Sequence, residues 1–327
     1  MKRSRRQILL SAAALAALAA SLCVASAQTY PARPVTIIVP YAAGGPTDLI
    51  ARAIAEKMRE PLGQAVVVEN VAGSGGAIGV GRVAHAVPDG YTLNLGNNGS
   101  NVLTGAMYPL AFDLIGDFEP IAGLTTNPQI IISKKAIPAK DLAELVTWLK
   151  ENQKNVSVGI AGPVAAVSVI NFEIMTLTKF QLVPYRGAAP AMQDLIGGQI
   201  DLMIDQVSNS VPQIKAGTIK AYAVAADRRS LAAPEIPTVD EAGLPGLYGS
   251  LWHGLWAPKG TPHEVITKIN VAVKQALADA TLRQRFADVG QEIVPVEQQN
   301  PEALATRQKA EIEKWWPIAK AASLKGE

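Results

Sequence analysis

Two hydrophobic periods alternate along this chain. Val35 to Val39 is an unbroken apolar and β-branched run closed by Pro40, which reads as a buried strand. After Gly44 and Gly45 the apolar positions Leu49, Ile50, Ala53, Ile54 and Met58 recur at helical spacing. Thr47 stands where it would cap that helix, and Asp48 and Arg52 form a favourable pair four residues apart near its start. Pro61 and Gly63 close it, so it is expected to reach about Arg59. Ala65 to Val68 and Thr92 to Leu95 repeat the strand signal, with a glycine-rich loop at Ala72 to Gly81 between them.

The middle of the chain follows the same plan. Ile130 to Ile132 is a strand, Pro138 to Glu151 a helix with Leu142, Leu145, Val146 and Leu149 on one face, and Val156 to Ile160 another strand. A Gly/Pro loop at Gly159 to Val164 then leads into a helix carrying Val167, Ile170, Ile174 and Leu177, and helices at Pro262 to Ala280 and Pro301 to Ala322 finish the chain. The alternation predicts an α/β fold on a parallel sheet. Two strand-loop-helix units, one early and one central, each aim a helix N-terminus out of a sheet.

The first residues set the compartment. Lys2, Arg3, Arg5 and Arg6 precede an apolar run from Ile8 to Val24, and Ala25-Ser26-Ala27 supplies a small-x-small cleavage pattern. Residues 1–27 are therefore expected to be a secretory signal, with Arg5-Arg6 resembling a twin-arginine element, and the mature protein to start near Gln28 in the periplasm. The run is mostly alanine, whereas a spanning helix needs about 20 strongly apolar residues. Cys23 is the single cysteine and lies inside this run after Leu22, so no lipidation site is read. Without it the mature chain has no disulfide, thiolate metal site or cysteine nucleophile.

Charge narrows the partners. Of 30 basic and 28 acidic residues, four basic ones belong to the signal, leaving 26 against 28 and a net of −2. A near-neutral surface without a basic stripe argues against nucleic acid. The catalytic inventory is thin as well. His85, His253 and His263 are far apart and belong to no metal or triad pattern, and no G-x-S-x-G elbow occurs. Gly73-Ser74-Gly75-Gly76-Ala77-Ile78-Gly79 misses the dinucleotide fingerprint because Ile78 stands where its third glycine belongs. Neither a metal nor an organic cofactor is implied.

Binding without chemistry fits the same residues. Glycine-containing loops that end strands and open helices present several backbone N–H groups at the positive end of a helix dipole, and hold anions without a lysine. Tyr41 to Thr47 is the first candidate for such a loop. Spacing alone leaves open whether its glycines merely make a tight turn.

Longer motifs carry a resemblance. Tyr30-Pro31-x-Arg33-Pro34-Val35-Thr36-Ile37-Ile38-Val39-Pro40-Tyr41-Ala42-Ala43-Gly44-Gly45-Pro46-Thr47-Asp48 is similar to the opening of Bug-family proteins, the solute receptors of tripartite tricarboxylate transporters. The likeness continues through Glu69-Asn70, Gly73 to Gly79, Pro88 to Leu93, Val183 to Gly187, Gly197 to Asp205, Ile236 to Thr238 and Ala257 to Pro262, in order over nearly all of the mature chain. It implies two Rossmann-like lobes joined by crossover strands, the periplasmic-binding-protein or Venus-flytrap architecture, with lobe 1 from residues 28–127 and 248–327 and lobe 2 from 128–247. A small organic carboxylate, dicarboxylic or aromatic, would lie between the lobes. It would be held mainly by backbone amides of Tyr41, Ala42, Ala43, Gly44, Gly45, Thr47 and Asp48, and of Gly75, Gly76 and Ala77. Asn98 and Ser100 would follow the third strand of that lobe. Ala161, Gly162, Val164, Ala165, Tyr185, Arg186 and Asp205 would face them from the second lobe. The resemblance further implies a monomer without catalytic residues that delivers its solute to a membrane permease. A receptor presenting its solute to a periplasmic sensor domain, or a periplasmic hydrolase using His253, are the alternatives.

One departure matters for the ligand. Where the family usually has Gly-x-x-Gly-x-Gly followed by hydroxyl residues, this chain reads Gly162-Pro163-Val164-Ala165-Ala166-Val167-Ser168. Several hydroxyl donors are missing and Pro163 has no N–H. The far end of the solute is therefore expected to be apolar or aromatic, because an apolar wall would leave polar groups unpaired.

Overall fold

The computed structural model describes residues 30–152 and 155–321. Among these, Tyr30–Ala32 belong to one unit, and the residues from Arg33 on to a second that carries every element below. Residues 1–27, expected above to be a secretory signal, lie with Cys23 and the Arg5-Arg6 pair outside the described residues.

Strand β1 (Val35–Val39) is buried, as its apolar run requires, and leads through Pro40 to Gly45 into helix α1 (Pro46–Leu62). Thr47 does not cap this helix. Gly45 holds the cap position and Pro46 the first helical position, where a fixed φ is already helical and a missing N–H costs nothing. The Thr47 hydroxyl is thereby free to turn into the protein. Strand β2 (Val66–Asn70) follows, one residue later than expected. The glycine-rich segment after it is only partly a loop: Ala77–Ala84 form helix α2, with Val80 and Val83 buried, although glycines at 79 and 81 weaken its helical signal. Strand β3 (Thr92–Asn97) then pairs with β1, which pairs with β2, all parallel.

The largest departure from expectation is β4. Only Ile130 to Ile132 reads as a strand, yet the strand spans Phe118–Lys134. Pro120, Gly123 and Pro128 obscure it, and they coincide with irregularities that such residues permit. The register shifts between Pro120 and Ala122 and between Gly123 and Thr125, and the ladder changes partner at Pro128.

Beyond it, helix α3 (Leu142–Asn152), β5 (Ser157–Ile160), α4 (Pro163–Thr176), β6 (Gln181–Pro184), α5 (Ala188–Ile196), β7 (Leu202–Gln206), α6 (Val207–Lys215) and β8 (Ile219–Val224) make a second α/β layer. The chain returns in β9 (Ser250–Pro258), which contains Trp252 and Trp256. It ends with α7 (His263–Ala278), α8 (Ala280–Ala287), a short β10 (Glu292–Ile293) and α9 (Pro301–Ala321). The helix expected at Pro262 to Ala280 is α7, which stops at Ala278 because Asp279 leaves the helical region; the Asp279 side chain accepts from Leu282 N and opens α8, which the sequence reading lacks.

The main path of the sheet is β2-β1-β3-β9-β4-β7-β5-β6, with β8 and β10 also on β4. Its outer strands are parallel as expected, but β9, β4 and β8 in the middle are antiparallel to their neighbours. β4 belongs to both halves: residues 118–128 pair with β9, and residues 129–134 pair with β7 and β8. At the changeover Gln129 N donates to Gly249 O, Gly249 N to Ala225 O, and Ala225 N to Gln129 O, at 2.8 to 2.9 Å. Separate cores flank this seam. Ile38, Val80, Trp252, Trp256 and Leu304 cluster on one side, and Leu145, Val158, Phe172, Leu202 and Tyr222 on the other.

Candidate functional site

Three helix N-termini meet where the two halves face each other. Gly45-Pro46-Thr47-Asp48 opens α1, Gly162-Pro163-Val164-Ala165 opens α4, and Ala188 opens α5; all line one narrow cleft with a cavity of about 40 Å³. The first-turn N–H groups of a helix have no acceptor within it, so those of Thr47, Asp48, Val164 and Ala165 stand at the positive ends of two opposed dipoles. Pro46 and Pro163 lack an N–H but set the helical φ at each first position. At the mouth, Ala42 N donates to Arg186 O at 3.1 Å, joining the first loop to the loop before α5.

Below the first loop lies a buried polar chain. Tyr41 Oη donates to Asn97 Oδ1 at 2.8 Å, and Asn97 Oδ1 also accepts from Gly99 N. Asn97 Nδ2 donates to Thr47 Oγ1, which is 3.3 Å from His253 Nε2, while His253 Nδ1 is 3.2 Å from Thr125 Oγ1. Burial alone depresses the His253 pKa to about 3, so the ring stays neutral, flanked by two hydroxyls that can each give or take a proton. His253 is thus held inside the polar chain, and His85 and His263 lie elsewhere, bonded to Gly81 O and Thr267. Ser100 Oγ donates to Asn101 Oδ1 and Asn101 Nδ2 to Asn94 Oδ1, extending the chain beneath β3.

The cleft also holds acceptors. Burial opposes ionisation of Asp48, but hydrogen bonds from Arg52 and from Gly44 N outweigh it and hold this carboxyl below its ordinary range. Both bonds go to Oδ2; among the described residues Asp48 Oδ1 has no partner, and neither has Gln206 Oε1 in the same cleft. Asp205, 4% exposed, is pushed up to about 6 by burial, which its bonds from Asn209 and Gln206 N offset only in part. One site thus combines donors from helix ends with acceptors from β7 and α1.

Of the residues named from sequence, Tyr41, Gly45, Thr47, Asp48, Ala161, Gly162, Val164, Ala165 and Asp205 line this cleft. Ala43 and Gly44 are exposed at the tip of the first loop. Gly75, Gly76, Tyr185 and Arg186 line a flanking groove that shares Tyr41 and Gly162 with the cleft, and Ala77 begins α2 behind it. Tyr185 is further occupied by Asp194, to which its hydroxyl donates at 2.6 Å. Asn98 turns to the strand opposite, donating to Ser250 O, and Ser100 is wholly buried in the polar chain. Sequence reading missed Asn97, Gln129, Ala188, Ile204, Gln206 and Leu251 in the cleft wall. Asn97 and Gln206 end predicted or motif-bearing strands and could have been found as strand C-terminal residues. Gln129 and Leu251 lie on the connections between halves, for which the sequence has no periodic signal.

A family model described as tripartite tricarboxylate transporter family receptor matches residues 50–324. The chain is 45% identical over 295 residues to a protein from the TAR-I ttuE-ttuC' intergenic region of Agrobacterium vitis, covering 89% of this chain and 85% of that one. Among solved structures, MatC from Rhodopseudomonas palustris with bound malate is 40% identical with a TM-score of 0.85, covering 88% of this chain and 99% of that chain. The periplasmic binding protein BugD is 39% identical with a TM-score of 0.87, covering 91% and 100%.

Proposed function

This chain belongs to the tripartite tricarboxylate transporter family of receptors, and from that premise we propose that it captures a small organic carboxylate in the periplasm and hands it to a membrane permease without chemical change. The observation that carries the reading is the convergence of the α1 and α4 N-termini on one cleft, because opposed helix ends receive an anion through backbone N–H groups alone. The malate in MatC, a protein of matching fold, supports a carboxylate as the occupant. The unpartnered Asp48 Oδ1 and Gln206 Oε1 favour a solute bearing a donor, such as a hydroxyl, beside its carboxylate, since a buried acceptor without a partner costs about 1–3 kcal/mol. The one hydroxyl-imidazole contact described at the cleft, Thr47 with His253, offers no effective base, because burial holds that ring's pKa near 3, and this supports a receptor over a hydrolase. The lobes of this reading are 28–127 with 248–327, and 128–247, turning about the Gln129, Ala225 and Gly249 junction. The permease acts on a single receptor copy.

Two measurements test it. Calorimetry against an organic-acid library should find a tight carboxylate ligand, and Ala165→Asp should weaken it at least about a hundredfold. The new carboxylate would sit at the end of α4 where the solute's is received, and like charges placed together cost several kcal/mol. Ala165→Asn, of similar size but uncharged, should cost far less. Equal losses in both variants, or none in either, would remove the helix ends from the binding mechanism. Small-angle scattering should show a smaller radius of gyration with saturating ligand, because a solute that touches both lobes favours the closed state.

A further inference from the structure

Behind the cleft, on the far side of Val164, lies a second cavity of about 340 Å³ with no assigned role. It is lined by Leu103, Val167, Ile170, Leu247 and Trp315, and it shares Val164 and Ile204 with the cleft. The shared wall is one continuous apolar body: Leu251 in the cleft, Val164 in both spaces and Leu103 at the rear form a single cluster, with Val167 and Trp315 packed on it. Beside this apolar wall, one hydrogen bond links the linings of the two spaces. Ser168 Oγ, in the rear wall, donates to Gln129 Oε1, in the cleft wall, at 2.5 Å. Gly249 leaves room for it, since a Cβ there would stand 2.2 Å from Gln129 Oε1.

We infer that the cleft continues through this partition, and that the rear cavity takes the hydrocarbon tail, alkyl or aryl, of the solute whose carboxylate sits at the helix ends. The inference rests on the carboxylate reading and extends it. The cleft has room for a few water-sized groups, whereas the rear cavity is several times larger and its walls are mainly Leu, Ile, Val and Trp. A tail entering it leaves water for apolar contact, at about 25 cal/mol per Å² buried. When the Gln129–Ser168 pair opens, each partner still borders a space in which the solute or water can meet it. Gln129 belongs to the junction between the lobes, so a tail lodged beside it would also be read by the hinge.

The test compares solutes with one head and different tails: lactate, 2-hydroxyhexanoate and 3-phenyllactate, measured by calorimetry on the mature protein. Affinity should rise at least about tenfold from lactate to 3-phenyllactate, with 2-hydroxyhexanoate also tighter than lactate. Val167→Trp, which fills the rear cavity from a residue outside the cleft, should return 3-phenyllactate to the affinity of lactate and leave lactate itself unchanged. Asn171→Trp fills the same cavity from the next turn and serves if the first variant does not fold. Equal affinity along the series, or an equal loss for all three ligands in both variants, would overturn the rear cavity as a tail site. If these three fail to bind while short dicarboxylates do, it is likewise overturned and the receptor reading stands. If no carboxylate binds at all, the receptor reading falls first.

Discussion

Asp205→Asn is expected to raise the melting temperature by about 5–10 °C at pH 8 and to leave it unchanged near pH 4. Asp205 is buried in the cleft wall, and burial lifts its pKa from the ordinary 3.8 to about 6. A raised pKa means that the folded protein prefers the neutral acid. The stability this group contributes is therefore complete below 3.8 and is lost as pH rises through 6. Above that point the fold carries a buried carboxylate that its hydrogen bonds compensate only in part, at a cost of up to about 3 kcal/mol. Asparagine has no charge to bury, and its side-chain oxygen can still accept from Asn209.

His253 works in the opposite direction. Its pKa is depressed from 6.5 to about 3, so its contribution is present above 6.5 and drains away as pH falls, by about 1.4 kcal/mol per pH unit. Between about pH 4 and 6 the two slopes oppose each other in the natural chain. The Asp205→Asn variant should expose the histidine slope, with a steeper acid loss than the parent. Denaturant titrations at pH 4, 5, 6 and 8 check both statements. A stability change independent of pH would show that packing, not charge, governs residue 205.

Gly96→Ala should cost at least about 3 kcal/mol and weaken solute binding about tenfold, although residue 96 never reaches the cleft. A Cβ there would lie 2.0 Å from Asn101 Oδ1 and 2.7 Å from Ser100 Oγ. Both atoms are fully buried members of the polar chain under β3, so neither can swing away into solvent. Overpacking costs about 1–3 kcal/mol, and each buried polar group left unpaired a similar amount. Displacing Ser100 disturbs Asn97, whose Oδ1 fixes the Tyr41 hydroxyl and whose Nδ2 reaches Thr47. The damage should thus pass to the loop that opens α1. Chemical denaturation and calorimetry on the same sample measure the two effects, and a loss below 1 kcal/mol would mean that β3 yields where the polar chain was taken to be rigid.

How much of this was legible beforehand depended on local periodicity. β1 and β5, the loops after them and the helices those loops open all carry period-2 or period-3.6 signals, and with them came the cleft residues from Tyr41 to Asp48 and from Ala161 to Ala165. β4 did not, because three strand-breaking residues sit at its bulges and at its change of partner. β9 was equally silent: Leu251 to Ala257 carries no turn chemistry and no alternation to set it apart. The cleft residues these strands contribute, Gln129 and Leu251, were lost with them. Ser100 is the converse case. It follows a strand end, as ligand contacts do, but in the π-helical turn at Gly99–Leu103 its hydroxyl is spent on the protein itself, whereas Asn98, bonded to Ser250 O, also borders the space behind the cleft. Pairing partners of that kind are set by tertiary contacts and leave no trace in spacing.

The sharing of β4 has a consequence for how such a protein can change. Because one strand supplies ladder positions to both halves, any recombination that swapped a half for a homologous one would leave β4 to match the register and bulges of a foreign ladder on one side. Halves so joined are poorly suited to being traded as cassettes, and point substitution in the walls of the cleft is the less disruptive route to a new solute preference.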